Sequence, residues 1–144
     1  MRDRPNRVTK VLSANDTGET GGHQSGILVP LEARLLAFFP ALDGREKNPR
    51  YSLNFVDAWQ ERWTFAFIYY NNRFFGGTRN EYRLTRMTDF FRRRNAKSGD
   101  SLILTRDEHG GYHIGIERFD SHSVSAEDKT TRLKLGTSWR VIGI

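Results

Sequence analysis

Polar and hydrophobic positions alternate along much of the chain, a pattern typical of β-strands that bury one face. It predicts seven short strands, each rich in β-branched or aromatic residues. The clearest hairpin has "SLILTR" and "YHIGIER" on either side of the turn "DEHGG". We therefore expect a mainly β domain. The predicted strands cover residues 7–13, 25–30, 50–56, 62–70, 101–106, 112–118 and 137–144.

Two other segments have apolar residues at helical spacing. Residues 31–39 lie between Pro30 and Pro40, which suit the first turn and the end of a helix. Residues 87–95 predict a second helix, which begins near a threonine cap and turns two phenylalanines inward. Two short helices beside seven strands make the expected fold class α+β.

Two long polar stretches fit none of these elements. They are "SANDTGETGGHQ" at residues 13–24 and "YNNRFFGGTRNEYRLTR" at residues 70–86. Long polar loops inside compact domains are usually either disordered or functional, and a plain flexible loop would also explain the first stretch. The second stretch contains Phe74, Phe75 and Tyr82, and we expect these aromatic side chains to pin it onto the body of the domain.

Length and composition narrow the class of protein. A chain of 144 residues suits one domain over residues 1–144, and 37% hydrophobic residues with 28% charged residues is too apolar for a disordered chain. The chain has no cysteine, which excludes disulfides and thiolate zinc sites and fits a reducing, cytoplasmic location. No apolar stretch is long enough to span a bilayer, so we expect no membrane-spanning segment.

The net charge is concentrated in one segment. Residues 71–97 hold seven arginines and one lysine against two carboxylates, and this excess equals the net charge of +6 of the whole chain. A basic patch on a nearly neutral body indicates an anionic partner: a nucleic acid, an anionic membrane or an acidic protein.

The side chains of this segment match the chemistry of base edges. An arginine fork binds the two acceptors of guanine, asparagine binds adenine in the same way, and a carboxylate accepts from the amino group of cytosine. A binder of phosphates alone would leave out the carboxylate. A surface salt-bridge network would also explain the cluster. The residues concerned are Arg79, Asn80, Glu81 and Arg83.

The two polar stretches resemble the arms of a known DNA-binding domain. "SANDTGETGGHQ" followed by "GILVP", and later "IYYNNRFFGGTRNEYRLTR", are similar in order, spacing and identity to the N-terminal domain of EcoRII-type restriction endonucleases. The "NP" at Asn48–Pro49 agrees as well. The similarity covers residues 10–86, and beyond it only generic strand patterning continues.

The resemblance implies a fold, a partner and a site. The family's domain is a seven-stranded DNA-binding pseudobarrel, similar to plant B-three domains, whose two arms grip the major groove of duplex DNA. Here the N-arm is about residues 10–24 and the C-arm about residues 70–86. The implied target is a short CC(A/T)GG-like site. The implied contacts are Lys10, Ser13, Asn15, Asp16, His23 and Gln24 in the N-arm, and Arg79, Asn80, Glu81 and Arg83 in the C-arm.

The resemblance also implies a division of labour. In that family the domain targets or controls a separate nuclease domain, which lies C-terminal to it. Magnesium would serve only that nuclease domain, so the domain itself would need no cofactor and would not be an enzyme.

Two positions depart from the family's pattern. Gly77 and Tyr82 stand where a family member carries lysines, so two basic contacts are missing or replaced. We expect Arg73 and Arg86 to replace them and Tyr82 to stay in the contact surface. Beyond the C-arm, the arginines expected to bind phosphates and set the register are Arg92 and Arg94.

Parts of the sequence also fit functions other than DNA recognition. Glu127, Asp128 and Lys129 form the E-x-K triplet with which nucleases hold magnesium, but the polar residues around them lack the apolar inner face of a strand. His109 and His113 are spaced like zinc ligands without a third ligand nearby. Aromatic residues beside arginines would also suit an RNA-binding module, because aromatic rings stack on unpaired bases. A stand-alone nuclease and an RNA-binding module are therefore the alternatives.

Overall fold

The computed structural model describes residues 5–19, 26–119 and 138–142. Its strands in these ranges are β1 (Arg7–Val11), β2 (Ile27–Val29), β3 (Arg50–Val56), β4 (Arg62–Tyr70), β5 (Glu81–Thr85), β6 (Ser101–Arg106), β7 (Tyr112–Glu117) and β8 (Trp139–Ile142). They form one curled sheet in the order β2-β5-β4-β3-β7-β6-β1-β8. Neighbouring strands are antiparallel except for the parallel pair of β3 and β7. The predicted mainly β fold class is confirmed.

The sheet has one strand more than the seven that were predicted. The additional strand is β5, which pairs with β2 on one side and β4 on the other and lies inside the stretch taken for a loop. Leu84 is buried, and Tyr82 packs against the core from the same face. Glu81 and Arg83 occupy the alternate positions on the opposite face. Because these alternate positions are charged, the sequence of β5 resembles that of a polar loop.

Three short helices accompany the sheet. They are α1 (Ala14–Thr17), α2 (Ala33–Leu36) and α3 (Thr88–Arg93), and a 3-10 turn spans Asn72–Phe75. The two predicted helices correspond to α2 and α3, whereas α1 lies in a stretch expected to lack regular structure. Among the described residues, no helix has the length and apolar character needed to cross a membrane.

The core on the inner face of the sheet is rich in aromatic rings. Phe39 stacks on Phe67 with ring centroids 4.5 Å apart, and Phe67 packs against Tyr82 at 5.5 Å. From α3, Phe90 packs edge-on against Phe65 of β4, with centroids 6.0 Å apart. This aromatic packing reaches from α3 to the strands that carry the C-arm.

A side chain links the two edges of the sheet. The edge strands are β2 and β8. The indole Nε1 of Trp139 in β8 donates to the carbonyl oxygen of Leu28 in β2 at 3.0 Å, and Trp139 is only 1% exposed. The described edges of the pseudobarrel are thus joined by a side chain rather than by a backbone ladder.

Candidate nucleic-acid interface

The C-arm begins at an asparagine that is built into the body of the domain. Asn71 follows β4 and is fully buried. Its side-chain nitrogen donates to the carbonyl oxygens of Gly44 and Glu46, at 3.1 and 2.8 Å. Its Oδ1 accepts from the backbone amide of Asn48 at 2.7 Å. The base of the arm is therefore fixed in the free protein.

The tip of the C-arm is the 3-10 turn, and its aromatic side chains face solvent. Phe74 is 63% exposed and Phe75 is 44% exposed, so the expectation that aromatic rings pin the arm onto the domain was wrong for these two, whereas Tyr82 does pack against the core. Hydrogen bonds to the backbone and side chain of Asn72 hold the turn instead. The amide of Gly77 donates to the carbonyl of Asn72 at 2.7 Å, and the amide of Arg79 donates to Oδ1 of Asn72 at 2.7 Å.

Arg79, Glu81 and Arg83 form a compact cluster on the outer face of the sheet, opposite the core. One carboxylate oxygen of Glu81, Oε2, accepts from Arg79 at 2.5 Å and from Arg83 at 2.8 Å. Arg79 also stacks over the ring of Tyr70 at 3.9 Å, and Arg83 donates to the carbonyl of Gly26 at 3.0 Å. Hydrogen bonds from Arg79 and then Arg83 hold the pKa of Glu81 below its ordinary value. The cluster is therefore charged and pre-arranged.

Asn80 and Tyr82 face away from this cluster, because alternate residues of an extended chain face opposite sides. Oδ1 of Asn80 accepts from the hydroxyl of Tyr69 at 2.6 Å. Tyr82 stacks on Tyr69 with ring centroids 4.2 Å apart, and burial raises the pKa of Tyr82. The structure thus separates Asn80 and Tyr82 from the arginines and the glutamate with which the sequence grouped them.

Residues that the sequence reasoning missed lie beside the cluster. Leu28 of β2 and Ile68 of β4 are the cross-strand partners of Arg83, and Arg50 of β3 is the partner of Ile68. These four residues form one row across the outer face. Leu28 is 44% exposed, and Arg50 is also exposed. Strand alternation would have revealed both once β5 had been recognised as a strand.

The N-arm starts with an ion pair that fixes its first turn. Lys10 of β1 is only 8% exposed, and its Nζ lies 2.5 Å from a carboxylate oxygen of Asp16 in α1. Ser13 and Asp16 also form a capping box, in which each side chain accepts from the other residue's amide. Gly18 ends the turn with a left-handed φ of 85°. Lys10, Ser13 and Asp16 therefore hold the arm in place.

The other predicted residues of the N-arm fall into two groups. Asn15 is exposed on α1. His23 and Gln24 lie outside the described residues, so their roles stay predictions.

The two arginines expected to replace the missing lysines are exposed. Arg73 lies in the tip of the C-arm, with its guanidinium 5.8 Å from the centre of the Phe74 ring. Arg86 has a left-handed φ of 69° and makes no side-chain hydrogen bond with any described residue. Arg86 and Asp16 line the same small cleft, so the end of the C-arm lies beside the first turn of the N-arm.

The arginines after the C-arm are paired with carboxylates, away from the cluster of Arg79, Glu81 and Arg83. The side chain of Arg94 is only 10% exposed and binds Asp57 and Glu61, which precede β4. Arg92 is exposed and lies 3.2 Å from Asp89. The basic segment of the sequence therefore splits into two surfaces, and Arg94 is neutralised locally.

The structure describes the two histidines of the zinc alternative but not the E-x-K triplet of the nuclease alternative. Within the described ranges, no three histidine, aspartate or glutamate side chains are grouped to hold a metal ion. His113 lies 2.9 Å from Asp107, which accepts from the amides of His109 and Gly111 and so organises the β6–β7 turn. The E-x-K triplet at residues 127–129 lies outside the described residues and stays untested.

Comparison with a solved structure defines the class of this fold. The structure of the Arabidopsis FUS3–DNA complex matches with a TM-score of 0.58 at 22% sequence identity, covering 78% of this chain and 96% of that chain. The fold is thus a B-three-like pseudobarrel, the class that the sequence resemblance implied.

Sequence comparison places the chain within that class. The family described as "Restriction endonuclease EcoRII, N-terminal" matches residues 6–133, and the chain belongs to this family. The type II restriction enzyme EcoRII of Escherichia coli is 43% identical over 108 residues, which are 71% of this chain and 26% of that enzyme. Auxin response factor 10 of Oryza sativa subsp. indica is 32% identical over 119 residues, which are 81% of this chain and 15% of that protein. The chain therefore spans about a quarter or less of the length of these curated relatives.

Proposed function

We propose that this domain is the sequence-specific duplex-DNA recognition module of a type II restriction endonuclease. It reads a short CC(A/T)GG-like site in the major groove with its N-arm and C-arm. It targets or regulates a separate nuclease domain, which alone would require magnesium, and it does not cut DNA itself. Membership of the EcoRII N-terminal family supports this proposal.

The cluster of Arg79, Glu81 and Arg83 carries the proposal. Glu81 uses Oε2 for both arginines, and its Oε1 accepts no hydrogen bond from any described residue. Both guanidinium groups keep N–H donors beyond those used in the cluster, since each has five. A free carboxylate oxygen between two arginine forks matches the amino group of a cytosine next to the acceptor edges of guanines. A G·C-rich site such as CC(A/T)GG offers both kinds of group.

Positive charge around the cluster supplies attraction to phosphates. Arg50 lies in the same row of the outer face, Arg73 at the tip of the C-arm and Arg86 just after β5. Their distribution on three sides of the cluster suits backbone contacts that set the register of base readout. The hydrogen-bonded base and tip of the C-arm favour binding as well, because little ordering of this arm remains to be done on DNA.

Selection from a random duplex library tests the proposal directly. We expect enrichment of one short G·C-rich site, and weak binding when that site is made single-stranded or is supplied as RNA. Absence of any enriched site would contradict the proposal. Equal or tighter binding to the RNA version would support the RNA-binding alternative instead.

A plasmid assay with magnesium tests whether the domain cuts DNA. We expect the plasmid to stay intact. Nicking that disappears in the Lys129→Ala variant would instead establish the stand-alone nuclease alternative based on the E-x-K triplet.

A further inference from the structure

Leu28 is an exposed leucine beside the cluster of Arg79, Glu81 and Arg83. It is the middle residue of β2 and lies opposite Arg83 of β5 on the outer face. Its neighbours Ile27 and Val29 are 1% and 0% exposed, whereas Leu28 is 44% exposed. The Leu28 side chain is therefore outside the core, and it presents an apolar surface to solvent next to the charged cluster.

The backbone around Leu28 is fixed on both sides. On one side β2 pairs with β5, and on the other the indole of Trp139 donates to the carbonyl of Leu28 at 3.0 Å. Arg83 itself donates to the carbonyl of Gly26, two residues earlier, at 3.0 Å. Directly opposite residues of an antiparallel pair have Cβ atoms about 5 Å apart. A ligand bound by Arg83 therefore meets Leu28 at a fixed neighbouring position.

We propose that Leu28 is a specificity-determining residue that contacts the C5-methyl group of a thymine beside the base that Arg83 binds. This inference rests on the proposed function, which places Arg83 against base edges in the major groove. The thymine methyl is the apolar group that base pairs offer in that groove. At the other end of the same row, beyond the buried Ile68, stands Arg50, a side chain suited to phosphate. In a CC(A/T)GG-like site the central thymine is followed by guanine, which agrees with the adjacent positions of Leu28 and Arg83.

Replacement of single thymines by deoxyuracil tests this contact, because uracil differs only by the missing methyl group. We expect wild-type protein to bind one such duplex about fourfold more weakly than the parent site, the loss associated with one buried methyl-sized group. The Leu28→Ala variant should bind the thymine and uracil duplexes at that position equally. The four affinities form a double-mutant cycle that isolates the pairwise contact.

Leu31→Ala is the matched control, since Leu31 is 60% exposed and lies outside the strand pairing of β2. It should keep the wild-type penalty for uracil, and thermal unfolding should show that both variants are folded. The inference is overturned if no uracil penalty disappears in Leu28→Ala, if that variant weakens every duplex alike, or if the selected site contains no thymine. In these cases the proposed function stands as long as wild-type protein selects a site. Failure to select any site would remove the proposed function and this inference together.

Discussion

At the scale of single residues, Glu81 has an oxygen available for each of two roles that the sequence presents as alternatives. A carboxylate among arginines was expected either to read cytosine or only to brace its neighbours. In the structure, Oε2 braces Arg79 and Arg83, while Oε1 accepts from no described residue. One side chain therefore has an oxygen for each role.

Glu81→Gln should remove base readout while keeping the shape of the side chain. We expect discrimination at one C·G pair to fall by about 1 to 3 kcal/mol, because an amide cannot offer an acceptor to both the arginines and the cytosine. Affinity for unrelated DNA should hold or rise, since a charge that repels phosphates is gone. Affinities for every single-base variant of the selected site measure this effect. Glu81→Ala is the comparison variant. It should also reduce discrimination at the guanine positions, because Arg79 and Arg83 lose the carboxylate that braces them. Equal loss on all sequences would contradict both roles.

Asp57 has a structural role that no sequence pattern indicated. Burial alone would raise the pKa of Asp57. Hydrogen bonds from the Arg94 guanidinium, the Trp63 indole and the amides of Glu61 and Trp59 outweigh burial and lower the pKa to about 2. This network joins the end of α3 to the turn before β4, so it secures α3 against the sheet.

Acid unfolding should reveal the contribution of Asp57. Its pKa in the folded state lies below the ordinary value of 3.8, so its stabilisation is complete above about pH 4 and is lost as the pH falls toward 2. We expect Asp57→Asn to be less stable than wild type by about 2 kcal/mol near neutral pH, with the difference shrinking between pH 4 and pH 2. Urea unfolding across this pH range measures the difference. A difference that stays constant with pH would contradict the assignment.

At the scale of elements, the resemblance and the structure assign different roles to Lys10 of the N-arm. The resemblance implies that Lys10 contacts DNA, whereas the structure places it in a nearly buried pair with Asp16. The pair and the capping box hold α1 next to β1. We infer that Lys10 acts on DNA binding by positioning the arm.

Lys10→Met should lower the free energy of unfolding by about 2 kcal/mol, because the carboxylate of Asp16 loses its partner. DNA affinity should fall, but the slope of log affinity against log salt should stay the same, since no phosphate contact is lost. Lys47→Met is a control at an exposed lysine and should leave stability unchanged. A slope that flattens by about 0.9 with unchanged stability would show instead that Lys10 contacts a phosphate.

Elements were predictable from sequence where apolar alternation was undisturbed. The long strands β3 and β4 match their predicted spans because each has an apolar inner face. Two elements were missed. Strand β5 carries charged residues on its outer face, which hides its alternation. Helix α1 depends on a cap and on the pairing of Asp16 with Lys10, six residues earlier in the chain. The arginines and the glutamate of the site were found from their chemistry. Leu28 and Arg50 were not, because their place beside the site depends on strand pairing.

At the scale of the whole molecule, the excess charge is divided rather than concentrated. The arm surface contains Arg79, Arg83 and Arg86 with Glu81 as its carboxylate, whereas Arg92, Arg93 and Arg94 each pair with acidic residues. The sequence expectation that Arg92 and Arg94 bind phosphates remains untested. Among the described arginines of residues 71–97, the two without a carboxylate partner, Arg73 and Arg86, both lie in the C-arm.

The salt dependence of DNA affinity distinguishes the arm surface from the surface that contains Arg92, Arg93 and Arg94. Arg86→Ala should reduce the slope of log affinity against log salt by about 0.9, the value of one phosphate contact. Arg93→Ala is the matched control, because Arg93 is also exposed but lies 3.0 Å from Glu61. It should leave the slope unchanged. An equal reduction in Arg93→Ala or Arg92→Ala would extend the interface to the far end of β4.

The bond from Trp139 to Leu28 also affects the risk of aggregation while the chain is being synthesised. The two residues are 111 positions apart, so the ribosome produces both arms and the first seven strands before the residue that joins the sheet edges. Such long-range closure is slow, because chain entropy must be lost before the contact forms. Until then the outer edge of β2 presents an open backbone, a template on which other chains can aggregate. Arrival of Trp139 therefore covers the middle carbonyl of β2 and shortens the time in which this edge is open to strand mispairing.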